Sequence, residues 1–377
     1  MSETIAVFGA TGTIGQYLIP KLFRLLDCGN TDDTGGGGGG DGGRVVVPRV
    51  KHVIRAVTRD KTKALVLFPS LAFTSEYAEL VIVEGNVTDS ESYNEILSNV
   101  SRLFLLTLTS LGSDQCSTER KILKALASNN AAKKLKHIVR LSAYCRVMEG
   151  QPSNSPFRWH SDCDEQLISM TNGNFESHTN NNEGVDGNIN TSNITTDGKG
   201  ERKSLRNIAI TILRPSLFLQ DMARSHFSKD ITNTDTFYQL GKLNNENIIT
   251  DGYRIAQVDA RDIASVAAIA LTENVNLHKG NTYNLTGPRA LNWGDIALAI
   301  SRVVGRKITT SLLNDVEFYK RFGNSHVYLK QMQAYRCGFS EDIDGDIEIV
   351  TGRKAIGIEE FVESYKGDWV AGCDGGD

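Results

Sequence analysis

The segment Gly9-Ala10-Thr11-Gly12-Thr13-Ile14-Gly15 has the residue types and spacing of a phosphate-binding turn. Glycine removes the Cβ that would hold backbone N–H groups away from a pyrophosphate. The apolar run Ile5-Ala6-Val7-Phe8 precedes the turn, and Ile14, Leu18, Leu22, Leu25 and Leu26 follow at helical spacing. A turn so placed opens a helix whose N-terminus offers unpaired N–H groups and the positive end of a dipole. The ligand implied is a nicotinamide dinucleotide, with Gly9, Thr11, Gly12, Thr13, Ile14 and Gly15 against it. A plain tight turn is the alternative.

The residue that reads the adenosine ribose usually sits about 20 residues beyond such a turn, at the tip of the second strand. Arg59 lies 44 residues after Gly15, and the low-complexity stretch 28–50 supplies 23 of them, which leaves 21. An Asp at that tip would favour a free 2′-hydroxyl. An Arg favours a 2′-phosphate through charge-assisted contacts, with Lys63 close behind. NADP(H) is therefore expected over NAD(H); the alternative is that these are solvated charges at a helix start. Asn86, after the third strand, is expected near the adenine or in a simple turn. Thr107 and Leu108, which end the fourth strand, are expected near the nicotinamide ribose.

No other constellation has the spacing of a catalytic or metal centre. The remaining histidines show no ligand pattern, and Asp342-Ile343-Asp344-Gly345-Asp346 lacks the Glu that closes a calcium loop, with Arg353 at that place. The 6 cysteines (Cys28, Cys116, Cys145, Cys163, Cys337, Cys373) form no CxxC pair, a pattern that suits reduced thiols. A formal net charge of −4 gives no basic field for nucleic acid or an anionic membrane. No apolar stretch approaches membrane-spanning length, and the start lacks a secretory pattern, so a cytoplasmic protein with no membrane partner is expected.

These groups need a scaffold. Two stretches read as disordered inserts: 28–50, with its run Gly35 to Gly40, and the Asn/Gly/Ser/Thr-rich 171–205. The asparagines of Asn190-Thr191-Ser192 and Asn193-Ile194-Thr195 fit a glycosylation pattern that chance explains better in that setting. With both inserts removed, strands near Ile5, His52, Leu80, Leu103, His137, Ile208 and Asn281 alternate with helices. That alternation implies parallel strands joined by right-handed crossovers: an α/β Rossmann fold with a doubly wound parallel sheet. Pro20 should kink the first helix or shift its start. Residues 1–225 are read as the dinucleotide-binding core and 226–377 as mainly a smaller C-terminal substrate lobe, with 255–287 returning to the core.

The motifs Gly9 to Gly15, Arg55-Ala56-Val57-Thr58-Arg59, Val139-Arg140-Leu141-Ser142-Ala143, Ile212-Leu213-Arg214-Pro215-Ser216-Leu217-Phe218 and Asp259-Ala260-Arg261-Asp262-Ile263-Ala264 belong together. With them the chain resembles the NmrA-like group of atypical short-chain dehydrogenase/reductases. Val350-Thr351-Gly352-Arg353-Lys354 through Phe361 and Trp369 look most like the fungal clavine dehydrogenases of ergot-alkaloid biosynthesis. The resemblance implies a Rossmann core with a C-terminal substrate lobe. It also implies either an NADPH-dependent reductase of quinone, iminium or enone groups, or a regulator that only senses the dinucleotide.

Ordinary short-chain reductases pair a Ser with Tyr-x-x-x-Lys, in which the Lys lowers the Tyr pKa for proton donation. Ser142 sits where that Ser belongs, beside the cofactor. About a dozen residues on, the chain reads Asn154-Ser155-Pro156-Phe157-Arg158, with no Tyr and with Arg158 where Lys is expected. His160 could instead donate a proton or orient the substrate, because an unperturbed imidazole titrates near physiological pH; a surface or capping role is the alternative. Tyr144 could stack near the nicotinamide or be a packed rim aromatic. Trp159, Phe218 and Met222 are expected to wall an apolar substrate pocket, with a core role as the alternative. A small, already electrophilic substrate needs little proton donation, so the expected function is hydride transfer to a quinone, iminium or enone. The alternative is a non-catalytic dinucleotide sensor. The sequence leaves the oligomeric state open.

Overall fold

A computed structural model describes residues 3–27, 51–69, 73–107, 112, 114–128, 134–144, 155–172, 205, 208–223, 226–244, 248–323 and 325–370. Leu108, the insert 28–50, nearly all of 171–205, and Cys28, Cys145 and Cys373 lie outside the described residues.

The first half alternates strand and helix. It comprises β1 (Thr4–Phe8), α1 (Gly15–Asp27), β2 (His52–Thr58), α2 (Lys61–Leu67), β3 (Ala78–Glu84), α3 (Tyr93–Leu97), β4 (Arg102–Leu105), α4 (Asp114–Ser128), β5 (His137–Leu141), α5 (Pro156–Asn172) and β6 (Ala209–Pro215). Short elements follow: α6 (Gln220–Ala223), α7 (His226–Thr234), β7 (Thr236–Leu240), β8 (Lys242–Leu243) and β9 (Ile249–Thr250). Next come α8 (Ala260–Thr272), α9 (Val275–His278), β10 (Thr282–Leu285), α10 (Trp293–Val304), β11 (Thr309–Leu313), α11 (Asp315–Arg321) and α12 (His326–Arg336). The last helices are α13 (Asp346–Thr351), α14 (Ile358–Ser364) and α15 (Lys366–Trp369).

Seven parallel strands form one sheet in the order β10-β6-β5-β4-β1-β2-β3. The fold is the expected α/β doubly wound sheet. Its strands read as near-continuous apolar runs because helices cover both faces. In β1, Ile5 and Val7 point into the layer under α1 and α8, while Ala6 and Phe8 point into the layer under α3, α4 and α5. The direction of the strand order reverses between β1 and β4, which opens a crevice at their carboxyl ends.

Helix α1 starts at Gly15 and continues through Pro20, so the proline does not displace its start. The Gln16 and Leu18 N–H groups still reach back to Gly12 and Ile14 at 3.2 and 2.9 Å. Chain segments 260–272 and 282–285 belong to the sheet layer: α8 packs on α1, and β10 extends the sheet beside β6. A separate apolar cluster unites α7, β7, α10, α12, α14 and α15 around Phe237, Trp293, Phe318 and Trp369. Among the described residues, no helix is long and apolar enough to cross a membrane. Nor does any group of three His, Cys, Asp or Glu side chains stand ready to hold a metal.

Candidate active site

The crevice is a cavity of about 510 Å³ at the carboxyl ends of β1 to β6. Its floor is the first turn. Gly9 has φ +70, a left-handed conformation that L side chains avoid, and a Cβ there would also press on Leu106. A Cβ on Gly15 would sit inside the carbonyl oxygens of Gly9 and Ala10, backbone atoms that cannot yield. The turn closes through Gly12 N–H to Gly9 O at 2.9 Å. Gly9, Thr11, Gly12, Thr13 and Ile14 line the cavity; Gly15 does not, and serves the close packing of α1 on the strand end. The cradle fits a pyrophosphate: bare backbone, a helix N-terminus, and no side chain in the way.

The tip of β2 supplies the polar rim. Arg59 and Lys63 both line the cavity, and neither forms an ion pair with a described residue. Asp60, between them, turns away: its carboxylate accepts the Lys63 backbone N–H at 2.9 Å and caps α2. Asp60 does not line the cavity with them. Thr58 bonds Thr11 at 3.1 Å and ties the rim to the floor. Asn86 lines the cavity, and its side chain accepts from Thr88 N–H at 3.2 Å in a local turn. Thr107 lines the cavity from the end of β4.

Beyond the rim, Ser142, Phe157, His160 and Phe218 wall the other end, joined by Gln331 and Tyr335 from α12. Behind Ser142 and His160 lies a buried charged network. Arg140, fully buried on β5, forks onto Glu119 of α4 at 2.8 and 3.0 Å and reaches Asp164 of α5 at 2.5 Å. Burial opposes the Arg140 charge, but Glu119 and Asp164 outweigh it and raise its pKa above the ordinary arginine value. Arg214 adds a second guanidinium on Asp164 at 2.9 Å. Removing one partner from such a set costs about 3–5 kcal/mol, because the others are left buried and uncompensated.

The network also orders the cavity wall. Thr107 donates to the Glu119 carboxylate, so its oxygen accepts from Gln115 Nε2 at 3.1 Å. The second Gln115 proton points at His160 Nδ1, 3.3 Å away. His160 Nδ1 is therefore an acceptor, and its ring proton sits on Nε2. Burial, and then the positive charge of Arg140, lower the His160 pKa from 6.5 to about 3. This differs from the expectation of an imidazole that titrates near neutrality: the low-dielectric wall keeps it uncharged.

Three expected site residues, Tyr144 among them, do not line the cavity. The Tyr144 side chain bonds Asp344. Trp159 points to Gly112, and Met222 is 3% exposed within the C-terminal apolar cluster. Helix α6 begins between Phe218 and Met222 and turns the latter inward. The sequence reading missed Ser216, whose hydroxyl is buried at the cavity without a partner among the described residues. A Ser directly after the Arg214-Pro215 strand end was its only signal. Gln331, Tyr335 and Asp221 were also missed.

No family model matches the chain. It is 27% identical over 176 residues to the agroclavine dehydrogenase of Claviceps fusiformis, a stretch covering 44% of this chain and 57% of that protein. Festuclavine synthase I of Penicillium roqueforti is 27% identical over 44% of this chain and 57% of its own length. The NAD(P)H azoreductase of Xenophilus azovorans is 32% identical over 27% of this chain and 31% of its own length. The chain thus spans under three fifths of the length of the curated relatives it matches, 57–59% for the agroclavine dehydrogenases. In fold it resembles the triphenylmethane reductase of Citrobacter, solved with NADP(H) (TM-score 0.62, 18% identity, 96% and 99% of the two chains). It also resembles NmrA, a negative transcriptional regulator solved with NAD (TM-score 0.57, 13% identity, 96% and 94%). The likeness to clavine dehydrogenases in sequence, and to an NmrA-like chain in fold, holds.

Proposed function

We propose that the protein is an NADPH-dependent reductase that transfers hydride to a small, apolar, electrophilic molecule: a quinone, an iminium or an enone. One observation carries the reading. A single cavity joins a pyrophosphate cradle and a cationic rim (Arg59, Lys63) to an aromatic wall (Phe157, Phe218, Tyr335). NADPH, when bound, supplies the hydride. The glycine turn holds its phosphates, Arg59 and Lys63 its 2′-phosphate, and Asn86 its adenine end.

At the far end the chain's residues do little acid–base work. His160 stays neutral, with its ring proton on Nε2. Ser216 offers a hydroxyl free of described partners. The aromatic wall excludes water and positions the acceptor, which suffices for a substrate that is already electrophilic. Asp221, at the edge of this wall, favours a cationic acceptor such as an iminium. The proposed setting is the cytoplasm, with small molecules as the partners.

The missing Tyr/Lys pair and the neutral His160 favour a second reading, a sensor that binds the dinucleotide without turnover. Mixing the protein with NADPH and a panel of quinones, iminiums and enones, and following loss of the reduced-nicotinamide absorbance, separates the two. Turnover of at least one acceptor is expected. Tight NADPH binding with no consumption across the panel would sink the reductase reading.

A further inference from the structure

Cys116 and Cys163 meet across the helix pair behind the cavity wall. Cys116 lies in the first turn of α4 and Cys163 near the middle of α5. Their sulfurs are 2.7 Å apart although 47 residues separate them in the chain. Non-bonded heavy atoms rest at roughly 3.5 Å or more, and a disulfide holds its sulfurs at about 2.05 Å. The pair therefore stands closer to bonding distance than to ordinary packing, and less than ~1 Å of movement would close it.

Each partner is suited to one step. Cys116 is partly exposed and also donates to the Trp159 carbonyl at 3.5 Å, whereas Cys163 is fully buried. We propose that Cys116 and Cys163 form a reversible, oxidant-sensitive disulfide that clamps α4 to α5 beneath His160, with hydrogen peroxide as the oxidant class. The Cys116 thiolate attacks one peroxide oxygen, the O–O bond breaks, and the departing hydroxide takes a proton to leave as water. The resulting Cys116 sulfenic acid is attacked by the Cys163 sulfur. The S–S bond forms, the sulfenic oxygen leaves as water, and the Cys163 proton goes with it. Two thiols are oxidised and one peroxide is reduced to two waters. The Cys163 thiol is held above the ordinary thiol pKa, by its hydrogen bond to Cys116 and then by burial, which assigns the first attack to Cys116. Gln115 precedes Cys116 and Asp164 follows Cys163, so the bond fastens both residues that orient the wall. This inference does not rest on the reductase reading.

Peptide mapping of the full-length protein tests it. The protein is treated with peroxide, free thiols are blocked by alkylation, and the digest is read by mass spectrometry. A Cys116–Cys163 cross-link is expected, fully reversed by dithiothreitol, while exposed Cys337 stays available to alkylation. Oxidation should also raise the unfolding temperature by a few degrees in the parent protein and not in C116S, which keeps Cys163 as a thiol. The proposal is overturned if both cysteines remain alkylatable at a peroxide dose that oxidises Cys337, or if Cys116 is recovered joined to a different cysteine. C116S swaps a partly exposed thiol for a hydroxyl of similar size, and the cross-link itself is read in the parent protein.

Discussion

Ser142 donates its hydroxyl proton to Asp164 Oδ2 at 2.9 Å, and so turns only lone pairs toward the cavity. In an ordinary short-chain reductase the serine at this place donates to the reacting oxygen. Here the buried carboxylate, itself held by Arg140 and Arg214, claims that proton. Ser142→Ala should therefore lower kcat/KM by less than about tenfold, the worth of one net hydrogen bond. Ser216→Ala should lower it at least as much. Steady-state kinetics of the two variants with one acceptor check this ordering; a collapse confined to Ser142→Ala would contradict it.

Arg59→Ala should weaken NADPH binding by about 10- to 100-fold, the ~1.5–3 kcal/mol of a hydrogen bond to a charged group. NADH binding should be nearly unchanged, because that dinucleotide has no 2′-phosphate to lose. Fluorescence titration with both dinucleotides measures the pair of affinities. Equal losses for the two would show that Arg59 does not read the ribose.

Asp221→Asn should cut turnover of a cationic iminium by a few-fold and leave a neutral quinone unaffected. The effect is small because Asp221 is exposed and its field is screened. Parallel kinetics at low and high salt check it, with the difference shrinking as salt rises.

Two buried imidazoles set a pH dependence of stability. Burial, then the charges of Arg102 and His278, lower the His137 pKa from 6.5 to about 4, and His160 falls to about 3. Below 6.5 the unfolded chain binds protons that the folded protein refuses. The stability from the two neutral rings is thus fully present above 6.5 and is lost as pH falls toward 4, by about 1.4 kcal/mol per pH unit for each. Urea unfolding at several pH values should show this slope, and His160→Gln should reduce it by about half.

The sheet and the floor of the cavity were legible because they depend on local pattern. Apolar runs such as Ile5 to Phe8 are buried on both faces, and the glycine turn follows one of them directly. Arg59 became legible once the insert 28–50 was discounted. What escaped is long-range. Arg140, Glu119 and Asp164 come from a strand and two helices, and no spacing announces their meeting. The Cys116–Cys163 contact escaped for the same reason, as did Gln331 and Tyr335, brought to the wall by a distant helix. Tyr144 and Met222 sit near wall residues in sequence, but the chain has left its strand there, and alternation no longer dictates where a side chain points.

Hydride transfer is tested most directly by isotope. NADPH deuterated at the reactive nicotinamide carbon is incubated with the protein and an accepted quinone or iminium, and the reduced product is analysed by mass spectrometry and NMR. For an iminium the predicted result is one deuterium on the former electrophilic carbon. Formation should be lost when Arg59→Ala is assayed at a low NADPH concentration and restored at a high one. Product formed without deuterium at that carbon, or dinucleotide bound and never consumed, would contradict the account.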